Sequence, residues 1–78
     1  MTIEEAFGHT LKEFRLNKKF SQEKLALESG LDRTYISLLE RGLRQPSLST
    51  IFLLSDALSM TPESFVKRVR ELTSKSRK

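Results

Sequence analysis

Arg33, Thr34 and Ser37 share one face if their segment is helical, Leu38 lies beside them, and Arg41, Arg44 and Gln45 follow closely. A guanidinium is a planar fork able to give two parallel hydrogen bonds to guanine O6 and N7. A threonine offers a hydroxyl to a base edge and a methyl to thymine. These groups suit recognition of a surface that is anionic and lined with acceptors, and a DNA duplex presents both properties. Catalysis has no comparable constellation. His9 is the only histidine, cysteine is absent, and no carboxylate stands where it would orient a base. Serine, histidine and aspartate in one small chain do not make a triad without their geometry. Gly8, Gly30 and Gly42 are isolated, so no phosphate-cradling glycine motif is present. No enzyme activity, cofactor, metal or small-molecule ligand is expected.

Composition narrows the class further. The 78 residues are 37% hydrophobic, enough for one core but not for a core plus an elaborate cleft. Fourteen Lys and Arg against ten Asp and Glu give a net charge of +4, which suits a polyanionic partner. Acids gather at Glu4, Glu5, Glu13, Glu23 and Glu28, whereas Arg33, Arg41 and Arg44 bracket the segment that carries the fork. The basic end, with Lys67, Arg68, Arg70, Lys75, Arg77 and Lys78, has two readings: a phosphate contact or a solvated, frayed tail. No apolar run approaches the roughly 18 residues of a membrane span, and Met1 to Glu5 is acidic where a signal peptide is basic. A soluble, cytoplasmic protein with no membrane partner is expected.

Five helices must position these residues. Ile3, Phe7, Leu11 and Phe14 recur at helical steps and predict a first helix over about 3–18, with Lys18 and Lys19 at its negative end. Ser21 caps a short second helix over about 22–28, with Leu25 and Ala26 inward. Gly30 supplies the left-handed residue at its end, and Asp32 caps a third helix whose inner residues are Ile36 and Leu39, with Tyr35 beside them. Gly42 to Pro46 reads as a loop, after which Ser47 caps a fourth helix to about residue 58 with Ile51, Leu54 and Leu58 inward. Thr61-Pro62-Glu63 starts a fifth, running to about residue 73 with Phe65, Val69 and Leu72 on its apolar side. The expected fold is all-α: a compact five-helix bundle forming one domain over 1–78, its core about 3–73 and its tail 74–78.

The stretch FSQEKLALESGLDRTYISLLERGLRQPSLSTI resembles the helix-turn-helix of the Xre/Cro-like phage-repressor family. The run LDRTYIS followed by ERG, RQPSL and ST is most similar to controller proteins of bacterial restriction-modification systems. The likeness spans roughly Phe7 to Phe65 and rests on the mutual spacing of Arg15, Ser21-Gln22, Gly30, Ile36, Glu40 and Gly42. It implies a lambda-repressor-like domain in which the third helix enters the major groove with Arg33, Thr34, Ser37 and Leu38 on its reading face. It also implies that Gln22, at the start of the second helix, grips a phosphate, and that Arg15 and Glu40 pair inside the scaffold. Arg41, Arg44 and Gln45 join the phosphate contacts. Two positions depart from the pattern: Leu38, where controllers often have a small residue, and Ser59, where a glycine commonly ends the fourth helix.

Some residues keep two readings. Tyr35 either packs its ring and gives its hydroxyl to a phosphate or only packs. Leu38 either meets a thymine methyl or adds to the core. Phe52, Leu53, Phe65, Val66 and Val69 exceed what one core needs from two helices and predict a homodimer interface, through which two readers would share a palindrome. The expected function is transcriptional regulation on double-stranded DNA, with restriction-modification genes as targets and RNA polymerase as a further partner. The alternatives are a general phage-type or stress repressor, and an antitoxin-like module whose main partner is a protein.

Overall fold

Thr2 opens the first helix by a reciprocal cap: its Oγ1 accepts from the Glu5 amide at 3.0 Å, and the Glu5 carboxylate accepts from the Thr2 amide at 3.0 Å. In the computed structural model, which describes residues 1–74, this helix is α1 (Ile3–Asn17). It is followed by α2 (Gln22–Ser29), α3 (Arg33–Glu40), α4 (Leu48–Ala57) and α5 (Pro62–Ser74). Ser21, Asp32 and Ser47 cap α2, α3 and α4 through their side-chain oxygens. Ser74 belongs to α5, and Lys75, Arg77 and Lys78 of the basic tail lie outside the described residues.

The helix ends explain the tight connections. Gly30 ends α2 at φ 75° with its amide on the Ala26 carbonyl. After α1, α3 and α4 the chain closes in one pattern, with the second residue past the cap donating five residues back: Phe20 to Arg15, Leu43 to Leu38, and Met60 to Ser55. That pattern needs a left-handed residue between, and the positions are filled by Lys19 (φ 63°), Gly42 (φ 73°) and Ser59 (φ 57°). Only one of the three is glycine.

The helices pack α1 on α5 and α3, α2 on α3 and α4, and α4 on α5. Their shared core is Phe7, Leu11, Leu25, Ile36, Leu39, Leu54, Leu58 and Phe65. Three expectations about faces need correction. Ile3 is 59% exposed, because the buried face of α1 runs through Ala6, Phe7, Thr10 and Leu11 instead. Phe65 is fully buried and leaves the predicted dimer surface. It stacks on Phe7 with ring centroids 5.3 Å apart and meets Phe14 edge-on at 5.0 Å, so α5 is locked to α1 through this ring. Val69 is half-buried and packs against the same core, leaving Phe52, Leu53 and Val66 as the exposed members of that set. Arg68, read as part of a basic end, is committed to the scaffold. Its hydrogen bond to Glu13 of α1, with a second to Glu71, holds the guanidinium above its ordinary pKa.

Candidate nucleic-acid interface

α2, the Gly30 turn and α3 form the helix-turn-helix, and the outermost part of α3 is its first turn. Arg33 and Thr34 are both exposed, and the Thr34 amide donates to Asp32 Oδ2 at 3.0 Å. Among the described residues the Arg33 and Arg41 guanidiniums have no salt bridge or hydrogen bond, so neither must leave a partner to meet DNA. Arg44 is also exposed and makes only a long 3.4 Å bond to the Leu43 carbonyl. Gln45 is exposed on the same loop, between α3 and α4. Ser37 and Leu38, one turn further along α3, are half-buried. The readily available donors therefore lie at the N-terminal end of α3 and in the loop beyond its other end.

Two predicted DNA contacts have partners that local sequence did not reveal. The Tyr35 hydroxyl shares a hydrogen bond with Thr50 Oγ1 at 3.3 Å, and Thr50 Oγ1 shares another with Ser47 Oγ at 3.0 Å. This chain of hydroxyls ties α3 to the start of α4. Thr50 was missed as part of the site; its only sequence signal is the three-residue step from the Ser47 cap. Gln22 turns its amide to Glu40, with Nε2 donating to Oε1 at 3.1 Å. Glu40 is paired with Arg15 across α1 and α3, Nε to Oε2 at 2.6 Å and Nη2 to Oε1 at 3.0 Å, with side-chain exposures of 9% and 4%. A paired, hydrogen-bonded burial of this kind leaves neither charge stranded.

A second surface, on α4 and α5, is largely apolar and reaches the α3–α4 loop at Gln45. Phe52, Leu53 and Val66 are 50%, 44% and 58% exposed on α4 and α5. Beside them Ile3, Phe7, Pro46, Ile51 and Val69 line an open groove of about 320 Å³. No helix among the described residues is long and apolar enough to cross a membrane.

This geometry has close counterparts among known proteins. Residues 11–65 match the family described as Helix-turn-helix. The chain belongs to the helix-turn-helix family of transcription regulators. Within that family it is 48% identical over 61 residues to the control protein C.BamHI of Bacillus amyloliquefaciens, covering 77% of this chain and 75% of that protein. The crystal structure of the restriction-modification controller protein C.AhdI from Aeromonas hydrophila superposes with a TM-score of 0.80 at 43% identity, over 83% of this chain and 98% of the other. The controller protein C.Esp1396I, solved as a tetramer with its natural 35 base-pair operator, superposes with a TM-score of 0.82 at 31% identity, over 91% and 93% of the two chains. The expected five-helix, all-α fold and the resemblance to controller proteins are both met.

Proposed function

We propose that this family member is a homodimeric regulator that binds a palindromic operator and controls restriction-modification genes in the cytoplasm. The observation that carries the reading is the exposed, uncommitted Arg33–Thr34 pair at the end of α3 that a helix-turn-helix directs into the major groove. In this reading Arg33 and Thr34 make the primary base contacts, and Ser37 and Leu38 contribute at the edge of the reading face. Gln22, Arg41, Arg44 and Gln45 hold phosphates, while Tyr35 braces α3 against α4 from a position beside the backbone. Phe52, Leu53 and Val66 join the two protomers. RNA polymerase is a further partner when the operator abuts a promoter.

Selection of bound sequences from a random duplex library tests binding, symmetry and specificity together. The expected product is a two-fold symmetric site with half-sites about 34 Å apart. With three or four phosphate contacts per protomer, the log–log dependence of affinity on salt should have a slope of about −6 for the dimer. A slope near zero, or no enrichment over bulk DNA, overturns the proposal.

A further inference from the structure

Glu40 is the last residue of α3, and its nearly closed-off carboxylate receives three bonds: two from Arg15 on α1 and one from Gln22 at the first position of α2. Arg15 in turn fixes the α1–α2 connection. Its Nη1 donates to the Phe20 carbonyl at 2.8 Å, and its own carbonyl accepts from the Phe20 amide at 3.0 Å. The next residue, Ser21, caps α2. One carboxylate on the reading helix is therefore bonded both to the arginine that holds the α1–α2 connection and to the first side chain of α2.

The bond from Gln22 is not needed to neutralise Glu40, because the Arg15 fork already supplies a matching charge and two donors. Its consequence is orientation. A carboxylate offers only acceptors, so the Gln22 amide must present nitrogen to it. One N–H is used there, and the second makes no hydrogen bond among the described residues. That free donor stands at the helix start, where the first backbone amides of α2 have no partner within the helix. Arg15 cancels the carboxylate charge and Gln22 covers it, so the group offered to an approaching phosphate is a neutral donor and not an anion.

We infer that Glu40 is a positioning residue for DNA binding: it holds the Gln22 amide so that the remaining N–H faces a phosphate at the α2 N-terminus. Because Glu40 belongs to α3, phosphate grip and base reading are held in mutual register by one side chain. The inference rests on the proposed role of Gln22 as a phosphate contact.

Four forms of the full chain test it: unaltered, Gln22→Ala, the double variant Arg15→Met/Glu40→Met, and the triple variant that combines them. The double variant removes both buried charges at once, which is often tolerated where removing one is not. Affinities are measured for the selected operator and for a random duplex of equal length. Gln22→Ala should weaken binding to both about tenfold per protomer, the scale of one charge-assisted hydrogen bond, and so about a hundredfold for the dimer. The double variant should weaken both duplexes by a similar factor, and the triple variant should bind no worse than the double. If Gln22→Ala costs the same factor in both backgrounds, the positioning role is overturned while the phosphate contact stands. If it costs nothing in the unaltered protein, the phosphate contact fails and the inference with it. Should the double variant not fold, relaxation of the side-chain amides in the unaltered, DNA-free protein decides. A Gln22 amide as rigid as the backbone supports the role, and one as mobile as that of exposed Gln45 overturns it.

Discussion

Gly8 lies directly against the end of α3: a β-carbon there would collide with the carbonyl oxygen of Leu39 and stand 2.7 Å from that of Glu40. The contacting atoms are backbone and cannot swing aside. Gly8→Ala therefore sets two effects against each other. Helix propensity favours alanine by about 1 kcal/mol, but α1 and α3 must separate to admit the methyl, and overpacking costs about 1 to 3 kcal/mol or more. Sterics should win. Thermal unfolding should show a net destabilisation, and because the carbonyls belong to the reading helix, operator affinity should fall as well.

Arg33→Ala should relax specificity at one base pair per half-site and cost about 1 to 3 kcal/mol per lost contact. The fold should be unaffected, since the side chain is exposed and makes no hydrogen bond or ion pair among the described residues. Arg44→Ala should instead weaken binding to all sequences alike, with a shallower salt dependence. Parallel titrations on operator and random duplex separate the roles. An equal loss on both from Arg33→Ala would sink its assignment to base reading.

Much of this was legible because caps and helix ends are written in local chemistry. Ser21, Asp32 and Ser47 each satisfy an amide two or three residues on, and Gly30 takes the positive φ its position demands. The third helix and its exposed arginine could thus be placed from neighbours alone. Long-range partners could not. Gln22 meets Glu40 across 18 residues and Tyr35 meets Thr50 across 15, so their side chains read as free until the fold brought them together. Phe65 is ambiguous in the sequence for a related reason. An apolar residue on an amphipathic helix looks alike whether it faces its own core or a second copy, and only the positions of Phe7 and Phe14 decide.

Ser59 is a local departure with a measurable cost. It holds φ 57° at the end of α4, a left-handed conformation that disfavours a residue bearing a β-carbon. The exposed side chain makes no hydrogen bond among the described residues that would compensate, and the strain follows from the backbone alone. Ser59→Gly should stabilise the protein by about 1 kcal/mol, offset in part by the greater entropy of glycine in the unfolded chain. Denaturant unfolding should show a higher midpoint with an unchanged slope. Because Ser59 is not among the proposed DNA contacts, DNA affinity should stay the same.

Leu53→Glu tests how two readers are joined. Phe52, Leu53 and Val66 remain substantially exposed after the core is filled, and the fully buried Phe65 leaves them as the outward part of the α4–α5 surface. A single α3 reads only a few base pairs, so linking two copies makes the second half-site contact intramolecular and raises its effective concentration. Burying a carboxylate among apolar groups costs several kcal/mol unless it is paired or protonated, which should weaken dimerisation by at least about tenfold. The variant should remain folded, because the residue already contacts solvent in the single chain. Sedimentation should then give monomers at concentrations where the unaltered protein is dimeric, its melting temperature should no longer rise with protein concentration, and operator binding should weaken while contacts to a single half-site survive. A Leu53→Glu protein that still sediments as a dimer would move the interface away from this face and towards the groove lined by Ile3, Ile51 and Val69.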